Sequence, residues 1–119
     1  MNAMKTTERD VAEFLEGKAR IGDPIHYIDV VNRFPDLGHL TSYWSGHPLS
    51  AIFGHLDDED ETLKRPYRTA LVISTEHRMP GQGFFDTMAA LRKMTILKAD
   101  KEELWIRELN ALIAYYRNH

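Results

Sequence analysis

Six histidines stand in a chain of 119 residues, and a metal site is the first chemistry they suggest. His47 and His55 are eight apart and could share a helix face, with Asp57 and Asp58 close by. Zinc sites draw three or four ligands at tight spacing, such as His-x₃-His, and no such pair occurs. The run Asp57, Asp58, Glu59, Asp60, Glu61 offers oxygen ligands for Ca²⁺. A calcium loop needs spaced acids, a central glycine and a terminal Glu, so five contiguous acids read as a solvated turn. Ser42, Ser45, Ser50 and Ser74 are present without a Gly-x-Ser-x-Gly elbow. Ser74 precedes Glu76-His77, but neighbours on an extended chain point to opposite sides. Gly81-Gln82-Gly83 lacks any Walker or dinucleotide pattern, and its glycines read as turn residues. These residues therefore predict no catalytic set, no cofactor and no metal.

Two further groups are suited to binding. Lys64, Arg65 and Arg68 lie at the start of an apolar run, and His77 and Arg78 lie beyond its end. Cations placed in this way commonly meet phosphates. Tyr43, Trp44, Trp105, Tyr115 and Tyr116 exceed what one small core readily hides, so they are candidates for a partner or dimer surface.

The elements that must position these groups follow from periodicity. Thr7 with Asp10 marks a helix start, and Val11, Phe14 and Leu15 continue it until Gly17 or Gly22. Asp23-Pro24 opens the next element, with Ile25-His26-Tyr27 readable as a short strand. Tyr27, Val30, Val31 and Phe34 line a helical face that Pro35 ends. Leu37, Leu40, Tyr43 and Trp44 form a short helix or aromatic-rich turn. His47-Pro48 starts a helix with Leu49, Ile52, Phe53 and Leu56 on one stripe. Acids oppose the dipole at a helix C-terminus, so this helix is expected to stop near Leu56.

Residues 68 to 74, Arg-Thr-Ala-Leu-Val-Ile-Ser, are rich in β-branched side chains and predict a strand. Met79-Pro80-Gly81 is a turn signal, and Gly83-Phe84-Phe85 reads as the returning strand of an antiparallel hairpin. A helix from Asp86 through Lys93 follows. Asp100 with Glu103 resembles a capping box for a last helix carrying Trp105, Leu109, Leu112, Ile113 and Tyr116.

Composition sets the outer bounds. Residues 1–119 suit one domain, and 43% hydrophobic and 28% charged residues are ordinary globular usage. The absence of cysteine excludes disulfides, thiolate metal sites and cysteine nucleophiles. No apolar run approaches the ~20 residues of a membrane helix, and the N-terminus lacks a signal-peptide core. The expectation is a cytoplasmic protein with no membrane partner. The net charge is −3, yet the acidic run holds five of the 18 acids, so the rest of the chain is net positive.

The order helix, helix, helix, strand, turn, strand resembles a winged helix. Gly22-Asp23-Pro24-Ile25-His26-Tyr27-Ile28-Asp29-Val30-Val31 resembles the G-x-V-x-T-Y-G-x-I-A opening of the alkyltransferase-like winged-helix family. Pro66-Tyr67-Arg68-Thr69-Ala70-Leu71-Val72-Ile73 is similar to that family's proline-led strand. The likeness spans roughly residues 22 to 85 and implies the fold alone. That family's Pro-Cys-His-Arg motif is missing, and the helix matching its DNA-reading helix, Pro48 to Leu56, has no Arg or Lys. The same Pro66–Ile73 segment with Met79-Pro80-Gly81-Gln82-Gly83-Phe84-Phe85 also resembles small bacterial modules linked to mobile elements. These readings together predict an α+β, winged-helix-like domain of about five helices with one antiparallel β-hairpin and no enzymatic activity.

Two functions stand. One is a regulatory or nucleic-acid-associated module that meets DNA phosphates through the wing residues Lys64, Arg65, Arg68, His77 and Arg78. The other is a protein-interaction accessory protein of phage or mobile-element type. It would bind no nucleic acid, and its partner surface or homodimer contact would draw on Tyr43, Trp44, Trp105, Tyr115 and Tyr116.

Overall fold

A computed structural model describes residues 5–39 and 44–119. Among these residues five α-helices, α1 (Glu8–Ile21), α2 (Tyr27–Arg33), α3 (Pro48–Thr62), α4 (Gln82–Arg92) and α5 (Lys101–Arg117), carry most of the chain. Two strands of two residues each, β1 (Ile25–His26) and β2 (Val72–Ile73), pair in parallel, with Ile25 opposite Val72 and His26 opposite Ile73.

Helix starts follow local chemistry. The Thr7 hydroxyl accepts from the Asp10 amide at 3.2 Å, and the Asp10 carboxylate accepts from the Thr7 amide at 2.8 Å. This is a reciprocal capping box. Thr7→Ala is expected to cost about 1 kcal/mol, measured by urea denaturation. Gly22 closes α1 in the left-handed region at φ 90°, where a side chain is strained. Phe34 ends α2 ahead of Pro35, as expected. His47 caps α3, accepting from the Leu49 amide at 3.1 Å through Nδ1, while Nε2 lies 3.1 Å from the Gly38 carbonyl. Asp100 precedes α5 but makes no side-chain cap.

The antiparallel hairpin and the winged-helix frame are overturned. Arg68–Leu71 is a 3-10 turn, and only Val72–Ile73 is strand, paired with β1 rather than with a returning strand. Gly83, Phe84 and Phe85 lie in α4, where Phe84, Phe85 and Met88 are buried on one face. The physical reason is burial. Tyr67, Arg68, Thr69, Ala70, Leu71 and Val72 are all buried, and this segment packs against α1, α3 and α5. A short continuous apolar run fits an enclosed central segment as well as a strand, and periodicity does not separate the two. The segment expected as a hairpin tip is instead a compact turn between β2 and α4, closed by Ser74 N–H to Met79 C=O at 2.9 Å and Arg78 N–H to Ser74 C=O at 2.8 Å.

α3 does not end near Leu56. It continues through the acids to Thr62, and Asp57 and Asp60 are buried. The unfavourable dipole is offset by arginines. Arg68, fully buried, donates to Glu16 at 2.8 Å, to Glu59 at 2.7 Å and to Asp60 at 3.3 Å. Arg65 reaches Asp60 at 2.5 Å and Glu59 at 2.7 Å. Arg92 bridges Glu61 at 3.0 Å and Glu108 at 2.9 Å. Glu59, Asp60 and Glu61 of the acidic run are thus acceptors in an ion-pair network that joins α1, α3, α4 and α5 around the central segment. No helix among the described residues is long and apolar enough to cross a membrane.

Candidate functional site

The residues expected to bind nucleic acid are dispersed. Arg68 is buried and Arg65 is committed to Asp60 and Glu59. Lys64 is exposed after α3 with φ 53°, and His77 and Arg78 are exposed on the turn after β2. Two of the three arginines expected to contact phosphate, Arg65 and Arg68, instead pair with Glu59 and Asp60 of the acidic run, while Arg78 is exposed.

The expected aromatic surface divides as well. Tyr116 is buried and joins the core. Trp105 is half-buried and donates its indole N–H to the Ala70 carbonyl at 2.8 Å. Tyr115 packs edge-on against Tyr116 and stacks with His119. Trp44 packs edge-on against Tyr27 and Phe53, and its ring stacks with His47. Tyr43 lies outside the described residues.

Among the described residues, no three His, Cys, Asp or Glu side chains converge to hold a metal ion. His47 is a helix cap, and His55 is exposed and paired with Glu8. That carboxylate raises the His55 pKa through its hydrogen bond and charge.

One cleft gathers polar groups that the core does not use. Its volume is about 670 Å³. Tyr27 of α2, Trp44, and Ser50, Gly54 and Asp57 of α3 line it on one side. Ser74, the adjoining turn and the start of α4 at Gly81–Phe84 line the other. Tyr27 directly follows β1 and Ser74 directly follows β2, so the cleft lies beyond the carboxyl ends of both parallel strands.

Several lining groups keep free capacity. The Tyr27 hydroxyl accepts from the Gly81 amide at 3.0 Å, which leaves its own proton to donate. Ser74 Oγ accepts from the amides of Glu76 and His77 at 3.2 and 3.4 Å, and its proton is likewise available. Gly81 caps α4 without a side chain, so the first amides of that helix are not covered by one.

Asp57 is the distinctive group. It is 3% exposed, and among the described residues its one hydrogen-bond donor is the Thr69 hydroxyl, on Oδ1 at 2.5 Å. Burial pushes its pKa up to about 8 against the lowering effect of Thr69, with Asp60 and Asp58 adding repulsion and Arg68 opposing them. The carboxyl is therefore mostly protonated at neutral pH and can both donate and accept. Burial also raises the Tyr27 pKa, and Asp57 adds to that rise while the Gly81 hydrogen bond opposes it.

Sequence reasoning places Asp57 in solvent and overlooks Tyr27 and Gly54. A signal was available. Ser50, Gly54 and Asp57 recur at i, i+4 and i+7, a small-polar stripe beside the core stripe of Leu49, Ile52, Phe53 and Leu56. It becomes readable only once α3 is known to run past Leu56.

No family model, curated protein or solved structure matches the chain.

Proposed function

We propose that the chain is a protein-interaction module without catalysis of its own, and that the cleft beyond β1 and β2 receives a segment of a partner polypeptide. The observation that carries this reading is Gly54. A glycine in a helix interior costs about 1 kcal/mol relative to alanine. A Cβ at Gly54 would meet nothing within 4 Å outside its own helix, so packing does not demand the glycine. Its effect is to keep the cleft wide between Ser50 and Asp57.

The shape supports a polypeptide over an enclosed small molecule. Ile28, Ser45, Thr75, Glu76, Gln82 and Gly83 are all exposed along the lining. Small-molecule pockets bury most of their ligand, whereas this trough leaves one side open. The backbone at Gly83 is likewise unobstructed, since a Cβ there would meet nothing within 4 Å. Two of the five residues expected to meet phosphates, Arg65 and Arg68, are engaged with carboxylates, which favours the polypeptide reading over the nucleic-acid one.

The test is selection of displayed random peptides against the wild-type chain, counter-selected on Gly54→Leu. The leucine should stabilise α3 by about 0.5–1 kcal/mol while obstructing the cleft. Peptides that bind wild type and lose Gly54→Leu, with the variant's thermal transition unchanged or raised, are the expected outcome. Binders indifferent to Gly54→Leu would place recognition elsewhere.

A further inference from the structure

We propose that the cleft takes a basic side chain of the partner, an arginine, with Asp57 as its counter-charge and Trp44 and Tyr27 as its aromatic walls. This inference rests on the reading of the cleft as a polypeptide site. Three observations carry it. Charge is the first: among the described lining residues there are two carboxyl groups, Asp57 and Glu76, and no Lys, Arg or His. A cation entering meets no like-charged side chain on the lining.

Geometry is the second. Asp57 Oδ1 is occupied by Thr69, and no donor among the described residues reaches Oδ2, although the side chain is almost fully buried. A buried carboxyl with spare acceptor capacity favours a ligand that brings donors. The guanidinium carries five N–H donors in a planar fork. The hydroxyls of Ser50 and Thr87, also on the lining, offer further acceptors.

The third is the aromatic wall. Trp44 and Tyr27 pack with ring centroids 4.8 Å apart, and both line the cleft. Aromatic faces attract cations, and arginine stacks on them.

Binding has a proton balance. The neutral Asp57 carboxyl releases its proton to solvent as the guanidinium, already charged, settles against the carboxylate. No other group need change charge. The ionisable groups around Asp57 are Asp58 and Asp60 on α3, Tyr67 and Arg68 in the central segment, Tyr27 on α2 and Glu76 on the turn after β2. α4 contributes no ionisable side chain to the lining. Arginine affinity should therefore rise with pH up to about 8 and level off above it.

The experiment uses the full chain, ¹⁵N-labelled, titrated with N-acetyl-arginine amide and with its uncharged near-isostere N-acetyl-citrulline amide. Spectra are recorded at pH 6 and pH 8.5. The arginine probe should shift the amides of Ser50, Gly54, Asp57 and Ser74, and bind at least tenfold more tightly at pH 8.5. The citrulline probe should bind more weakly at pH 8.5, with no tightening. Asp57→Asn, which keeps the shape and the Thr69 contact, should abolish the pH dependence. Equal binding of both probes, arginine affinity flat with pH, or no arginine response at either pH would overturn the inference. If Gly54→Leu-sensitive peptides lacking basic residues are selected, the cleft reading stands and the arginine inference falls. If no selected peptide is sensitive to Gly54→Leu, the cleft reading itself falls.

Discussion

Arg68→Ala is expected to lose about 3–5 kcal/mol of folding stability, enough to remove most of the margin of a domain this size. Arg68 is fully buried and its guanidinium is shared among Glu16, Glu59 and Asp60. Its backbone N–H also donates to Asp60 at 2.9 Å. Removing the side chain leaves Asp60, itself fully buried, with Arg65 and the backbone N–H of residue 68, and removes the bridge from Glu16 of α1 to α3. A broken buried pair costs more than the pair was worth, because the remaining charge stays out of water. Arg68→Lys should recover only part of the loss, since one ammonium cannot span three carboxylates on two helices. Urea denaturation of the three proteins at neutral pH measures this. A loss below about 1 kcal/mol for the alanine variant would mean that the network is decoration on a core held by apolar packing.

Asp57→Asn should act in the opposite direction and depend on pH. In the unfolded chain Asp57 ionises around its ordinary value of 3.8; in the folded chain it does so near 8. Between these values the folded state holds the extra proton. Stability contributed by this group is therefore fully present below about pH 4, falls as pH rises, and levels off above about 8. Asparagine keeps the shape and an acceptor for Thr69 without the ionisation. The variant should match wild type near pH 4 and exceed it by roughly 3–4 kcal/mol at pH 7, from ~1.4 kcal/mol per unit. Denaturation curves at pH 4, 7 and 8.5 decide it. A variant less stable than wild type at pH 7 would show that Asp57 is a stabilising ionised group. With Gly54, Asp57 then marks a place where the fold gives up stability, a common signature of sites kept for function.

How much of this was legible in the sequence depends on the range of the forces involved. The capping box of Thr7 and Asp10, the stop at Gly22, the end of α2 before Pro35 and the core stripe of α3 are local, and each occurs where its residues predict. The short strand at Ile25-His26 was readable too. The segment from Arg68 to Ser74 misleads because β-branched content describes a buried position as well as a strand. Its surroundings come from α1, α3 and α5, up to 60 residues away in sequence. Phe84 and Phe85 look like a returning strand only while Gly81 is read as a hairpin turn; it is the cap of α4 instead. The acidic run is the same lesson in charge. Read alone it belongs in water, and only the arrival of Arg65, Arg68 and Arg92 from later in the chain makes a helix of it. The cleft was hidden for that reason, since Asp57 reaches it only on a helix that continues past Leu56.

A neutral, buried carboxyl at the floor of an open cleft underlies both the pH response and the proposed use of the site, and a ¹³C carboxyl titration of Asp57 by NMR tests it most directly. The predicted midpoint is about 8 in the free protein, moving toward lower pH when N-acetyl-arginine amide is added at saturating concentration. A midpoint in the ordinary carboxylate range near 4, unmoved by the probe, would contradict both the state of the group and the use proposed for it.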